Sequence, residues 1–304
     1  MHIRDIFANY NPTVSLEFFP PRKEAAWNKL FDRIAAVESL GPSFVSVTYG
    51  AGGTTRDKTH DLVVRLQEET RLDPVPHLTC VCHSGEDVDE ILEAYAAHGI
   101  SNIMALGGDP PRDWTEEQCR GRDFPHAVDL VRHIQGFNSR GQHSDPRGFG
   151  IGVAGFPEGH PDTPNRLQEL DYLKEKVGEG ADYICTQLFF DNHDFLDFRD
   201  RCSHAGISAP IVAGLMPVLS RKSFERIPDL ARGSRYPAKL LRRIDACDND
   251  EDIARVGMEW TIRQARELLD EGVAGLHFYT LNRASVTQEL FAELGLSNQA
   301  APTA

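Results

Sequence analysis

Eight short β-rich runs, nearly every one closed by a polar or glycine-rich cluster and separated by helical patterns, constrain this chain more than any other feature. The run 14–19, Val-Ser-Leu-Glu-Phe-Phe, stops at Pro20-Pro21-Arg22. The run 44–49, Phe-Val-Ser-Val-Thr-Tyr, enters Gly50-Ala51-Gly52-Gly53, and 102–106, Asn-Ile-Met-Ala-Leu, enters Gly107-Gly108-Asp109-Pro110-Pro111. Apolar, β-branched runs bounded by turn residues read as strands. They predict strands at 13–19, 43–49, 75–81, 102–107, 149–156, 183–190, 210–217 and 275–281. Between them, Trp27, Leu30, Phe31, Ile34, Val37 and Leu40 repeat at the helical period. Ile91, Leu92 and Tyr95 do the same, as do Leu167, Leu170, Leu173 and Val177. Strands apolar on both faces that alternate with helices make a parallel sheet. Eight such units predict an α/β fold, a closed (β/α)8 TIM barrel in a single domain over 1–296, with a frayed tail at 297–304. The alternative, an open doubly wound sheet, favours a GxGxxG turn, and the glycines at 50–53 lack that spacing. Segment 136–148 reads as a surface loop, and two or more helices are expected between strands seven and eight.

In such a barrel, chemistry collects where the strands end. Glu17 stands inside an apolar strand beside two phenylalanines. Desolvation raises a carboxyl pKa and would make it a general acid. The other reading is a carboxylate paired with Arg22 or another cation. Asp109 follows two glycines that allow close ligand approach, or simply caps the turn into Pro110-Pro111. His160, in the string 155–161 Gly-Phe-Pro-Glu-Gly-His-Pro, could contact a ligand phosphate or cap the next helix. Gln187 could read a heterocycle edge or be internally satisfied. Arg283 could clamp a carboxylate or lie on the surface. His77 reads as a satisfied barrel histidine or a ligand contact.

Composition narrows the classes. A formal net charge of −14 argues against a nucleic-acid partner. No apolar run is long enough for a membrane span, the N-terminus lacks a signal-peptide core, and a cytoplasmic location is expected. The cysteines Cys80, Cys82, Cys119, Cys185, Cys202 and Cys247 form no CxxC pair. They read as reduced thiols, with Cys80 and Cys82 on one strand face, and no metal site is expected.

Seven strings, LEFFPPR, FVSVTYGAGG, PHLTC, ALGGDPP, FPEGHP, DYICTQLFFD and FYTLNRA, occur in this order across residues 15–284. Together they resemble the catalytic barrel of the methylenetetrahydrofolate reductase family, in its bacterial type. The resemblance implies a flavoprotein oxidoreductase with noncovalent FAD, and NADH or NADPH as co-substrate. The implied cycle is ping-pong, passing hydride through the flavin to reduce 5,10-methylenetetrahydrofolate to 5-methyltetrahydrofolate. It implies Glu17 as general acid and Asp109 as a second catalytic carboxylate near pterin and flavin. Gln187, Tyr279 and Arg283 match residues lining the nicotinamide and folate site. Thr48, Tyr49, Ala51, His77, Gly107, Gly108, Asp109, Ala127, Phe156, His160, Glu169 and Lys176 match cofactor-binding positions.

Some positions depart: Gly107 stands where the family often has Arg, Phe156 for Tyr, His126 for Tyr and Glu169 for Asp. Loss of the arginine puts FAD affinity in question. The alternatives are a flavin-independent NAD(P)H folate reductase, or a folate-binding or electron-transfer subunit that needs a partner protein. A homo-oligomer is expected. So is the lack of inhibition by S-adenosylmethionine through the added C-terminal domain of eukaryotic relatives.

Overall fold

Eight parallel strands close on themselves in the order β1 to β8 in the computed structural model, which describes residues 1–21, 23–50, 56–109 and 123–296. The strands are β1 Thr13–Phe18, β2 Phe44–Val47, β3 Pro74–Thr79, β4 Asn102–Leu106, β5 Gly150–Gly155, β6 Tyr183–Thr186, β7 Ile211–Leu215 and β8 Gly275–Tyr279. Closure comes from β1 pairing with β8, with Ser15 opposite His277 and Glu17 opposite Tyr279. Eleven α-helices accompany them among the described residues. Three of these, Arg221–Leu230, Ala238–Asp245 and Asp250–Asp270, fill the long connection from β7 to β8.

Side chains alternate along each strand, because successive Cβ atoms point to opposite faces. Val14, Leu16, Phe18, Val45, Val47, Ile103, Ile151, Val153, Leu276 and Phe278 face the helices and join one large core with Leu30, Ile34, Leu62 and Leu92. Each such aliphatic or aromatic side chain contributes roughly 1.5–3 kcal/mol when fully buried. The opposite set, Phe44, Val75, Met104, Tyr183, Cys185 and Val212, fills the barrel interior. Helix α1, Ile3–Asn9, plugs this interior with Ile3 and Ile6. The Ile3 amide donates to Asn102 Oδ1 at 2.6 Å, which fixes the plug to β4. One end of the barrel is therefore sealed with apolar side chains, leaving the other for polar ones.

The structure corrects four expectations. The sixth strand stops at Thr186, four residues early, because the apolar residues that follow serve the neighbouring helices. Leu188 and Phe190 pack with Ile227, Leu240 and Ile253, and the carbonyl of Phe190 accepts from Trp260 Nε1 at 2.9 Å. The expected loop 136–148 begins later: the helix Ala127–Asn138 contains Gly136, and the Asn138 side chain binds both backbone groups of Phe149. Cys80 and Cys82 do not share a strand face, since β3 ends at Thr79 and Cys82 adopts φ 66°. Leu167 is 75% exposed, while Leu173 of the same helix, Arg166–Gly178, is buried. Cys80, Cys185, Cys202 and Cys247 are free thiols. Arg22, Ala51, Pro110, Pro111, Cys119 and the tail 297–304 lie outside the described residues.

Candidate active site

The polar level of the interior lies at the C-terminal ends of the strands. Glu17, near the end of β1, is 18% exposed, with its Oε2 3.7 Å from His77 Nε2 and 3.9 Å from His277 Nε2. The sequence left a cation partner open. What the fold supplies is two imidazoles, one from β3 and one from β8. Burial lowers the His77 pKa; Glu17 opposes that shift and His277 adds to it. His77 is therefore neutral at pH 7. His277 Nδ1 lies 2.8 Å from Ser15 Oγ, and both residues are buried. Tyr279 packs edge-on against His277, with ring centroids 5.0 Å apart.

Tyr279 also crosses β7 to donate its hydroxyl proton to the Thr186 carbonyl at 2.8 Å. Gly214 makes the crossing possible: a Cβ there would come within 2.3 Å of the Thr186 oxygen and 2.9 Å of the Tyr279 ring. Burial holds the Tyr279 proton on firmly. Gln187 follows β6, half-buried, and its Oε1 accepts from the Leu188 amide at 2.9 Å. Arg283 is exposed at the N-cap of the helix Ala284–Leu294.

The exit of β1 is fixed by the exit of β8. Thr280 Oγ1 donates to the Glu17 carbonyl at 2.8 Å, and Asn282 binds both backbone groups of Phe19. Leu281 and Asn282 turn through φ 51° and 56° to allow this. Sequence reasoning missed Ser15, His277, Thr280 and Asn282. The available signal was an asparagine, a residue that tolerates the left-handed region, just beyond a strand end.

Most of the expected cofactor positions that are described lie just beyond strand ends or in the first turns of the helices that follow. Thr48 is held by its amide on the Phe18 carbonyl and by its own carbonyl, which accepts from Thr59. Tyr49 pairs with His83 Nε2 at 3.1 Å, and burial pushes its phenol up to about 12. Gly107 and Gly108 are exposed beyond β4. Gly108 has φ 81°, and a Cβ there would lie 2.6 Å from the Thr79 Cβ. The Asp109 side chain is 80% exposed, 3.9 Å from Arg232. Phe156 and His160 stack edge-to-face at 4.6 Å, and the His160 amide donates to Glu169 Oε1. Ala127 opens its helix.

Lys176 sits differently. Its ammonium donates to the Ala154 carbonyl of β5 at 3.0 Å, and burial pushes its pKa down to about 8. Two buried hydroxyls, Ser46 Oγ and Thr79 Oγ1, have no hydrogen-bond partner among the described residues. Ser46 lies opposite Glu17 in the ladder, and Thr79 lies under Gly108. Among the described residues, no group of three His, Cys, Asp or Glu side chains is arranged to hold a metal.

The class defined by these features is a closed parallel α/β barrel whose polar mouth sets one carboxyl between two imidazoles. The family description for methylenetetrahydrofolate reductase matches residues 2–295, and the chain belongs to that family. It is 37% identical over 284 residues to 5,10-methylenetetrahydrofolate reductase of Escherichia coli, covering 93% of this chain and 90% of that protein. It is also 37% identical over 307 residues to methylenetetrahydrofolate reductase (NADH) 1 of Arabidopsis thaliana, covering 98% of this chain and 50% of that protein. The chain thus spans about half the length of its plant relatives. Among solved structures, an uncharacterized protein from Clostridium thermocellum that binds two copies of 5-methyl-5,6,7,8-tetrahydrofolic acid shares the fold. Its TM-score is 0.65 at 12% identity, covering 96% of this chain and 99% of that one. No described helix is long and apolar enough to cross a membrane.

Proposed function

We propose that this chain reduces 5,10-methylenetetrahydrofolate to 5-methyltetrahydrofolate, drawing electrons from NADH or NADPH through a noncovalently bound FAD in two alternating half-reactions. The observation that carries the reading is Glu17: a carboxyl near the end of a barrel strand, mostly shielded, with neutral His77 beside it. The plant relatives carry NADH in their names, which favours that donor. A homo-oligomer in the cytoplasm belongs to the same reading.

The described residues fit a flavin. Thr79 Oγ1 is a buried hydroxyl awaiting a partner, next to a glycine backbone that any side chain would crowd. Thr48, Tyr49, His77, Gly107, Gly108, Ala127, Phe156, His160, Glu169 and Lys176 would hold it, together with Ala51. When bound, the flavin supplies the hydride carrier between nicotinamide and folate. Glu17 gives its proton to the bridging amine nitrogen of the folate, which opens the five-membered ring to a cationic iminium. Asp109 places a negative charge that favours this cation. Gln187, Tyr279 and Arg283 orient the pterin and its glutamate tail.

Stopped-flow measurement of the separate half-reactions tests the assignment. Glu17→Gln is expected to abolish folate reduction and leave flavin reduction by NADH or NADPH within a few-fold of the parent. Equal loss in both halves would make Glu17 structural. An anaerobic absorption spectrum of the purified protein, before and after each nucleotide, tests the flavin and the donor together. A protein without flavin bands that still oxidises NADH against the folate would favour direct hydride transfer instead.

A further inference from the structure

Ser15 and His277 are neighbours across the β1–β8 seam, buried beneath the mouth, and neither has a part in the proposed reaction. Ser15 Oγ has one proton to give and faces two partners, the Leu276 carbonyl at 3.3 Å and His277 Nδ1 at 2.8 Å. A carbonyl can only accept. If the hydroxyl donates to it, the shorter contact must be His277 Nδ1–H donating to Ser15. Both bonds are then satisfied with one proton each. This fixes the histidine tautomer. His277 Nε2 is left bare, 3.9 Å from Glu17 Oε2 and about 1 Å beyond hydrogen-bond reach. A rotation of the Glu17 side chain of about 1 Å at Oε2 would bring the pair within reach.

We infer that Ser15 holds His277 as its Nδ1–H tautomer, so that Nε2 receives a hydrogen bond from protonated Glu17 and keeps the acid loaded. An acceptor facing a carboxyl favours the protonated form, whereas an N–H donor facing it favours the carboxylate. His277 is thus a positioning residue that acts through Glu17. The inference rests on the reading of Glu17 as the acid. The other groups facing Glu17 are His77 from β3, Cys185 from β6 and Tyr279 from β8. Burial raises the Cys185 and Tyr279 pKa values, so neither changes charge while a carboxyl titrates. Burial lowers that of His77, toward the carboxyl range, and its ring 15N shifts separate its titration from that of Glu17.

The test is a 13C NMR titration of the Glu17 carboxyl in the purified protein, assigned by its loss in Glu17→Gln. Ser15→Ala removes the Oγ acceptor from Nδ1–H and releases His277 to the Nε2–H tautomer, which donates to the carboxylate. The Glu17 midpoint is expected to fall by about one pH unit, and the folate half-reaction to slow about tenfold above that midpoint. Flavin reduction by the nucleotide should not change. An unchanged or raised midpoint in Ser15→Ala overturns the inference. A second measurement needs no folded variant: the 15N shifts of His277 in the parent protein are expected to report Nδ1–H, and an Nε2–H signal overturns it equally. Full folate reduction by Glu17→Gln would instead sink the acid assignment itself, while leaving the tautomer result standing.

Discussion

The Asn282 carboxamide closes a two-bond ring with the backbone of Phe19, accepting from its amide at 3.1 Å and donating to its carbonyl at 2.8 Å. These two contacts join the exits of the first and last strands, 263 residues apart in sequence. Glu17 lies two residues before this ring, and Arg283 directly after it. The seam that closes the barrel therefore also sets the spacing between the acid and the expected substrate arginine.

Asn282→Ala is expected to destabilise the fold by about 2–3 kcal/mol. Two side-chain to main-chain hydrogen bonds are worth roughly 0.5–1.5 kcal/mol each, and alanine tolerates the left-handed backbone poorly. Denaturant unfolding measures the loss. Asn282→Asp keeps the acceptor for the Phe19 amide but loses the donor, so it should fall between the two. An alanine variant as stable as the parent would show that the ring is not a structural joint.

The two glycines after β4 should behave oppositely. Gly107 has no described atom within 4 Å of a built Cβ, and its φ is not positive. Gly108 has φ 81° and would drive a Cβ into Thr79. Gly108→Ala is expected to cost at least about 1–3 kcal/mol from backbone strain, whereas Gly107→Ala should change stability by less than about 0.5 kcal/mol. Gly107→Arg should then fold normally. If the arginine usual in the family aids flavin retention, restoring it should slow FAD dissociation by about 10- to 150-fold, the worth of one charge-assisted bond. Melting temperatures and FAD release rates for the three variants check both halves of the argument.

Much of this architecture was legible because the period of the apolar residues reports burial. All eight strands fall where the runs predict them, and their punctuated ends form the mouth. The sixth strand was overread because its apolar continuation serves helices instead: Leu188 and Phe190 pack against helices that arrive more than 30 residues later, and Phe189 stacks on Phe195 of the next helix. Glu17 stood out as a charge in an apolar strand. His277 did not, because its meaning depends on the register that puts Ser15 opposite it and on the Glu17 carboxyl one layer above. Such pairings are set by barrel closure, which no local pattern encodes.

Lys176 gives a pH signature. Its folded pKa of about 8 lies below that of an unfolded lysine, because burial disfavours the ammonium. The unfolded chain therefore binds more protons than the native one between about pH 8 and 10.4, and stability rises with pH across that window. The rise is expected to be about 1–3 kcal/mol, allowing for partial solvent screening. Lys176→Met should lack it. Thermal unfolding of flavin-free protein from pH 7 to 10, parent against variant, is the measurement. Curves that stay parallel over that range would mean the ammonium is effectively solvated. A phosphate placed beside Lys176 favours the charged form, so adding FAD should flatten the parent's curve toward the variant's.

Asp109 allows chemistry to be separated from structure. Its carboxylate is 80% exposed and its one described ion-pair partner, Arg232, is 3.9 Å away and itself half exposed. An exposed pair of this kind contributes about 0–1 kcal/mol. Asp109→Asn should accordingly melt within a degree or two of the parent. Any functional loss is then a loss of charge at the mouth. The folate half-reaction should slow, because the cationic iminium loses a neighbouring negative charge. The flavin potential should rise, because adding electrons beside a neutral amide is easier than beside a carboxylate. A potentiometric titration and single-turnover kinetics read these two effects independently. A slower folate step with an unmoved potential would place Asp109 at the folate and away from the flavin ring. A raised potential with an unchanged folate rate would place it at the flavin alone.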